Sequence, residues 1–80
     1  MTEQNKSAAT LELTVNGVLK TITIPNGVAS LQAVLVALNH NPSLVVVEHN
    51  GLITPRHQWQ EPLVKNGDRL EIVTIVGGGS

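Results

Sequence analysis

The 80-residue chain has no cysteine, no phenylalanine and no tyrosine, and Trp59 is its single aromatic residue. Without cysteine there is neither a disulfide framework nor a cysteine-type zinc site, and no side-chain thiol is available for covalent chemistry. Charge is also sparse: 5 Lys and Arg against 6 Asp and Glu give a formal net charge of -1. Lys6, Lys20, Arg56, Lys65 and Arg69 are scattered, so the clustered basic patch that phosphate backbones require is missing and no nucleic-acid partner is expected. No apolar stretch approaches the ~20 residues that span a bilayer, and the opening residues are small and polar, without the apolar core of a signal peptide. A soluble cytoplasmic protein with no membrane partner is the expectation.

What is present is aliphatic. Eighty residues allow one domain, near the lower limit for a single core. A core of Val, Leu and Ile with one aromatic favours a small β-rich body over a helical bundle. Residues 1–9 are polar and aperiodic and are expected to form a disordered tail, with the folded domain over 10–76 and a flexible glycine-rich tail over 77–80.

Leu11, Leu13 and Val15 alternate with Glu12 and Thr14, which places the apolar side chains on one sheet face. Asn16-Gly17 supplies the positive-φ positions of a hairpin turn. In the returning strand Ile22 and Ile24 alternate with threonines, yet a two-residue turn sets Lys20 opposite Leu13 on the buried face. Either a glycine bulge or a snorkelling Lys20 resolves that conflict. Ser30 stands where an N-cap hydroxyl belongs, ahead of a helix over about 31–39. Leu31, Val34, Leu35 and Leu38 fall at i, i+3, i+4 and i+7, a stripe suited to lying across a sheet.

Leu44, Val45, Val46 and Val47 form a continuous apolar run, the pattern of a central strand buried on both faces. Leu52 and Ile53 add a short strand, and 54–62 reads as a loop with one helical turn. Asn66-Gly67-Asp68 is a turn that launches the last strand, in which Leu70 and Ile72 share one parity and Glu71, Val73 and Ile75 the other. The order β-β-α-β-(β)-β predicts a two-layer α+β domain, a mixed sheet of four to five strands with the helix on one face. A helix covering Leu70 and Ile72 leaves Val73 and Ile75 on the open face, as a docking surface or as residues that serve strand propensity alone.

Catalytic and metal constellations are not visible. His40, His49 and His57 have no second histidine or cysteine at helical or hairpin spacing and read as solvated turn histidines. Ser30 and Ser43 lack a nucleophile elbow, and cap and turn roles explain them. Trp59 either covers the core or anchors a partner. Arg56 either pairs with an acidic surface on that partner or is a solvated loop charge.

The chain ends in Gly77, Gly78, Gly79 and Ser80. Glycine lacks a Cβ, so three in succession make a thin thread that fits a narrow slot. The same composition also describes an appended linker. The opening "LTVNG", the helix "SLQAVLVAL", the segment "VVVEHNGLITPRHQW", the approach "VKNGDRLEIV" and the final "VGGG" together resemble the β-grasp, or ubiquitin-like, ThiS family of sulfur carriers in thiamine thiazole biosynthesis.

The resemblance covers about 11–79 and implies a non-enzymatic cosubstrate that needs no cofactor of its own. An E1-like, ThiF-like enzyme would adenylate the Gly79 carboxylate with ATP, and a sulfur donor such as a cysteine desulfurase would supply the sulfur. The resulting thiocarboxylate would deliver that sulfur to a ThiG-like thiazole synthase. Gly77 and Gly78 would thread the tail into each active site, and Val73, Ile75, Trp59 and Arg56 are the candidate docking residues. Ser80 departs from the family's glycine ending; proteolytic removal, an appended residue or a chain not charged as it stands all remain open. The alternatives are a molybdopterin-type sulfur carrier and a ubiquitin-like module without sulfur chemistry.

Overall fold

In a computed structural model, residues 7–75 are described; residues 1–6 and 76–80 lie outside that span. Strand β1 (Ala9–Val15) and strand β2 (Val18–Ile24) form the first hairpin. Asn16 and Gly17 take φ of 51° and 81° between them, the left-handed pair that matches the twist of a two-residue hairpin. The register runs unbroken from Val15↔Val18 to Ala9↔Ile24, with Lys20 directly opposite Leu13. There is no bulge. Lys20 is exposed on the edge strand, so the pairing with Leu13 leaves its charge in water.

β1 begins one residue inside the stretch expected to be disordered. Ser7 is also held close, because a Cβ on Gly27, itself at φ 78°, would stand 2.5 Å from the Ser7 carbonyl oxygen. Only glycine satisfies both constraints there.

Helix α1 (Leu31–Ala37) starts where Ser30 Oγ accepts the Ala33 N–H at 3.1 Å. It stops two residues earlier than its periodicity predicts, because Asn39 turns left-handed at φ 67°. The N–H groups of Asn39 and His40 then donate to the carbonyls of Val36 and Leu35, closing the last turn as a Schellman motif. Leu31, Val34 and Leu35 are buried against the sheet, with Leu38 packed at the margin.

A short 3-10 turn (Pro42–Leu44) leads into strand β3 (Val45–His49), followed by strand β4 (Leu52–Ile53), a second 3-10 turn (Arg56–Gln58) and strand β5 (Arg69–Thr74). The sheet order is β2-β1-β5-β3-β4. β5 runs parallel to β1 and antiparallel to β3. The central strand is therefore β5, and the expectation for residues 44–47 is corrected on three counts. Leu44 belongs to the 3-10 turn, β3 lies between β5 and the two-residue β4, and only Val45 and Val47 face the core while Val46 is exposed. One helix covers one face, so an apolar side chain on the other face has nothing to bury it.

Trp59 closes the core beneath the loop, 2% exposed, with its indole N–H donating to the Thr54 carbonyl at 2.8 Å. Backbone bonds from Leu31 and Gln32 to the carbonyls of Pro62 and Trp59 dock that loop against the start of α1. The result is the expected two-layer α+β body: a mixed five-stranded sheet with one helix across it.

Candidate functional site

β5 organises the molecule because its two faces do different work. Leu70 and Ile72 are buried beneath the helix, whereas Val73 and Ile75 are 62% and 46% exposed on the opposite face. Val46 stands directly opposite Val73 and adds to the same apolar strip. At the end of the described chain the Ile75 N–H donates to the Leu44 carbonyl at 2.6 Å, so this end of the strand is held from the β3 side.

On the other side, β1 pairs with β5 only at Thr14↔Arg69 and Val15↔Leu70. Beyond that point Asn16 substitutes for strand backbone. Its N–H donates to the Leu70 carbonyl at 2.9 Å, its Nδ2 donates to the Ile72 carbonyl at 3.0 Å, and its Oδ1 accepts the Ile72 N–H at 2.7 Å. The primary amide presents an N–H donor and a carbonyl acceptor side by side, which matches the C=O and N–H that Ile72 turns to one side of the strand. Val73 and Thr74 have no β1 partner among the described residues, and the chain approaches its terminus anchored along one edge.

Sequence reading misses this role. It identifies Asn16 as a turn residue, and the further signal is that asparagine, unlike aspartate or glycine, both donates and accepts.

The opposite end of β5 is fixed by the turn at residues 65–68. Gly67 takes φ 91° and its N–H donates to the Glu12 carbonyl at 2.7 Å, while Asn66 Oδ1 accepts the Glu12 N–H. Asp68 Oδ2 accepts both the Lys65 N–H at 2.9 Å and His49 Nε2 at 2.8 Å. Partial burial pushes the Asp68 carboxyl up, but hydrogen bonds from His49, the Lys65 backbone and Asn50, with the charge of His49, pull it below its ordinary value. His49 is thus not a solvated turn histidine: its side chain is mostly buried and it clamps β3 to the launching turn of β5. Asn50 completes the clamp, its Oδ1 accepting the Arg69 N–H at 2.8 Å.

The four candidate docking residues divide. Val73 and Ile75 share the open face. Arg56 is exposed, lies with its Cζ 5.8 Å from the Trp59 ring centroid, and donates through Nη2 to the carbonyl of Ser43, the residue before Leu44. Trp59 is withdrawn into the core, so of its two expected roles covering the core is the one its placement serves. Among the described residues no group of three His, Asp or Glu side chains comes together as a metal site, and no helix is long and apolar enough to cross a membrane. Gly77, Gly78 and Gly79 lie outside the described residues.

The model of the ThiS family matches residues 13–79. The chain belongs to the ThiS family. The match takes in the open face, the Asn16 brace and all three terminal glycines. A crystal structure of the thiamine biosynthesis protein ThiS from Geobacter metallireducens superposes with a TM-score of 0.69 at 33% identity, over 86% of this chain and 100% of that one. The β-grasp fold is thereby shown, and with it a thiamine-biosynthesis sulfur-carrier architecture.

Two further relatives frame the family. The uncharacterized protein ycf40 of Trieres chinensis is 42% identical over 50 residues, 62% of this chain and 68% of that protein. A thiazole synthase of Paramagnetospirillum magneticum is 39% identical over 51 residues, 64% of this chain but only 16% of that protein.

Proposed function

We propose that this chain is a sulfur carrier for thiazole assembly in thiamine biosynthesis, a protein cosubstrate whose reactive group is the carboxylate that Gly79 carries once Ser80 is removed. The observation that carries the reading is the ThiS-family match running through the terminal glycines, joined to a β5 strand that leads toward them along a one-sided anchor. The resemblance of a ThiS-like segment to part of a thiazole synthase supports the thiazole pathway over the molybdopterin one, since it puts such a domain in the same polypeptide as a protein of that name.

The chemistry follows from charge. A carboxylate repels nucleophiles, so an ATP-dependent, E1-like adenylating enzyme first converts it to an acyl-adenylate, releasing pyrophosphate. The terminal sulfur of a donor's persulfide, as on a cysteine desulfurase, attacks the carbonyl and AMP leaves. A second thiol then takes the donor's sulfur as a disulfide, freeing the thiocarboxylate, and one difficult substitution has become easier steps.

In this reading the carrier supplies recognition and reach. Val73 and Ile75 form its docking surface, Arg56 adds a charge held by the Ser43 carbonyl and the Trp59 ring, and Gly77 and Gly78 let the terminus enter a narrow channel.

The test is ATP–pyrophosphate exchange by the cognate adenylating enzyme, with a chain ending at Gly79 as substrate. Exchange that depends on the carrier and is lost on deleting Gly79 supports the reading. Exchange indifferent to the carrier contradicts it.

A further inference from the structure

The β3–β5 register stacks two chemically different rungs on the open face. Val46 stands opposite Val73, and one rung along the strands Glu48 stands opposite Glu71. On β4, Ile53 pairs with Glu48 and carries the acidic rung to the edge of the sheet. Like charges directly opposed work against strand pairing, and the positive charge this chain brings near them, Arg69, does not close onto either. Arg69 shares a depression of about 110 Å³ with Glu48, Gly51 and Glu71, yet among the described residues no ion pair forms to either carboxylate. Two carboxylates facing each other beside an exposed apolar strip make a surface that positive charge from outside completes.

We propose that the enzyme that adenylates Gly79 docks on this face by placing a basic side chain between Glu48 and Glu71. Its aliphatic contact lies one rung away, ~7 Å along the strands, over Val46, Val73 and Ile75. This inference rests on the sulfur-carrier reading and adds the chemistry of the partner. Arginine suits the position better than lysine, because its planar fork donates to two carboxylates at once. The charge pair steers the encounter and fixes its register, while the apolar strip supplies the buried area.

The experiment measures binding of the chain ending at Gly79 to its cognate adenylating enzyme by calorimetry, at low and high salt. The variants are Glu48→Gln with Glu71→Gln, and Glu12→Gln as a control of exposed charge on β1. The double variant is expected to raise Kd about tenfold or more at low salt and to flatten its salt dependence. Its thermal midpoint should stay level or rise, since a like-charge rung has been removed. Glu12→Gln should leave Kd unchanged.

An unaltered Kd and salt slope in the double variant overturns the proposal, as does a Kd that rises equally in Glu12→Gln. Weaker binding with a fallen thermal midpoint overturns it as well, by assigning the two glutamates a structural role. Pyrophosphate exchange on the wild-type chain reports separately on the carrier reading: salt-dependent docking without exchange rejects the carrier and keeps the surface.

Discussion

Leu70 and Ile72 lie under the helix, while Val73 and Ile75, just as aliphatic and offset by one residue, stand exposed on the other face of the same strand. Side-chain chemistry does not separate these pairs; the presence of a covering layer does. Burial on the helix face stabilises the fold, whereas the open face is released from that duty and is available for recognition. A small domain with one helix and one sheet has this asymmetry built in.

The contrast breaks most visibly through paired truncations. Leu70→Ala should cost about 2–5 kcal/mol of stability, read from the denaturant midpoint, because a fully buried side chain leaves a cavity. Val73→Ala should stay within about 0.5 kcal/mol and instead weaken binding to the adenylating enzyme. Equal destabilisation by both would remove the distinction between the faces.

A second substitution acts on the brace at the edge of β5. Asn16→Gly keeps a residue that tolerates φ 51° but removes both side-chain bonds to Ile72, for an expected loss of about 1–3 kcal/mol. Faster hydrogen exchange at the Ile72 amide would locate that loss.

Ser30→Ala perturbs the covered face alone, from the helix side. Removing the N-cap should cost about 1 kcal/mol and leave docking intact, since the open face is untouched.

The smallest effect is expected from Asp68. Its carboxyl is held below the ordinary value when folded, so its contribution is fully present above the unfolded value and is lost as pH falls through the folded one. Stability measured over that acidic window should decline less steeply in Asp68→Asn than in the wild type.

Local signals read correctly from sequence are those whose physics is local. The Asn16-Gly17 turn, the Ser30 cap and the helix stripe each depend on residues within a few positions of one another, and each is present in the fold. The parity of β5 is equally legible, because alternation is a property of the strand itself.

Tertiary context decides the rest. Four consecutive apolar residues from Leu44 to Val47 have no periodicity to distinguish burial on both faces from burial on one, and here the outward-facing Val46 joins the exposed strip. His49 and Asp68 are 19 residues apart, and Asn16 and Ile72 are 56 apart, so neither partnership has a sequence signature. For the functional site, the terminal glycines were legible as composition and as family resemblance, while the acidic rung beside the apolar strip emerges only from strand register.

In the proposed chemistry the carboxylate of Gly79, freed of Ser80, becomes a thiocarboxylate. Intact-mass measurement of the chain ending at Gly79, after incubation with ATP, its adenylating enzyme and a persulfide donor, tests it most directly. A sulfur carrier yields a free chain heavier by the exchange of one oxygen for sulfur, dependent on ATP and absent when Gly79 is deleted. A chain of unchanged mass under conditions that charge another ThiS carrier, or one found as amide-linked conjugates, would contradict it.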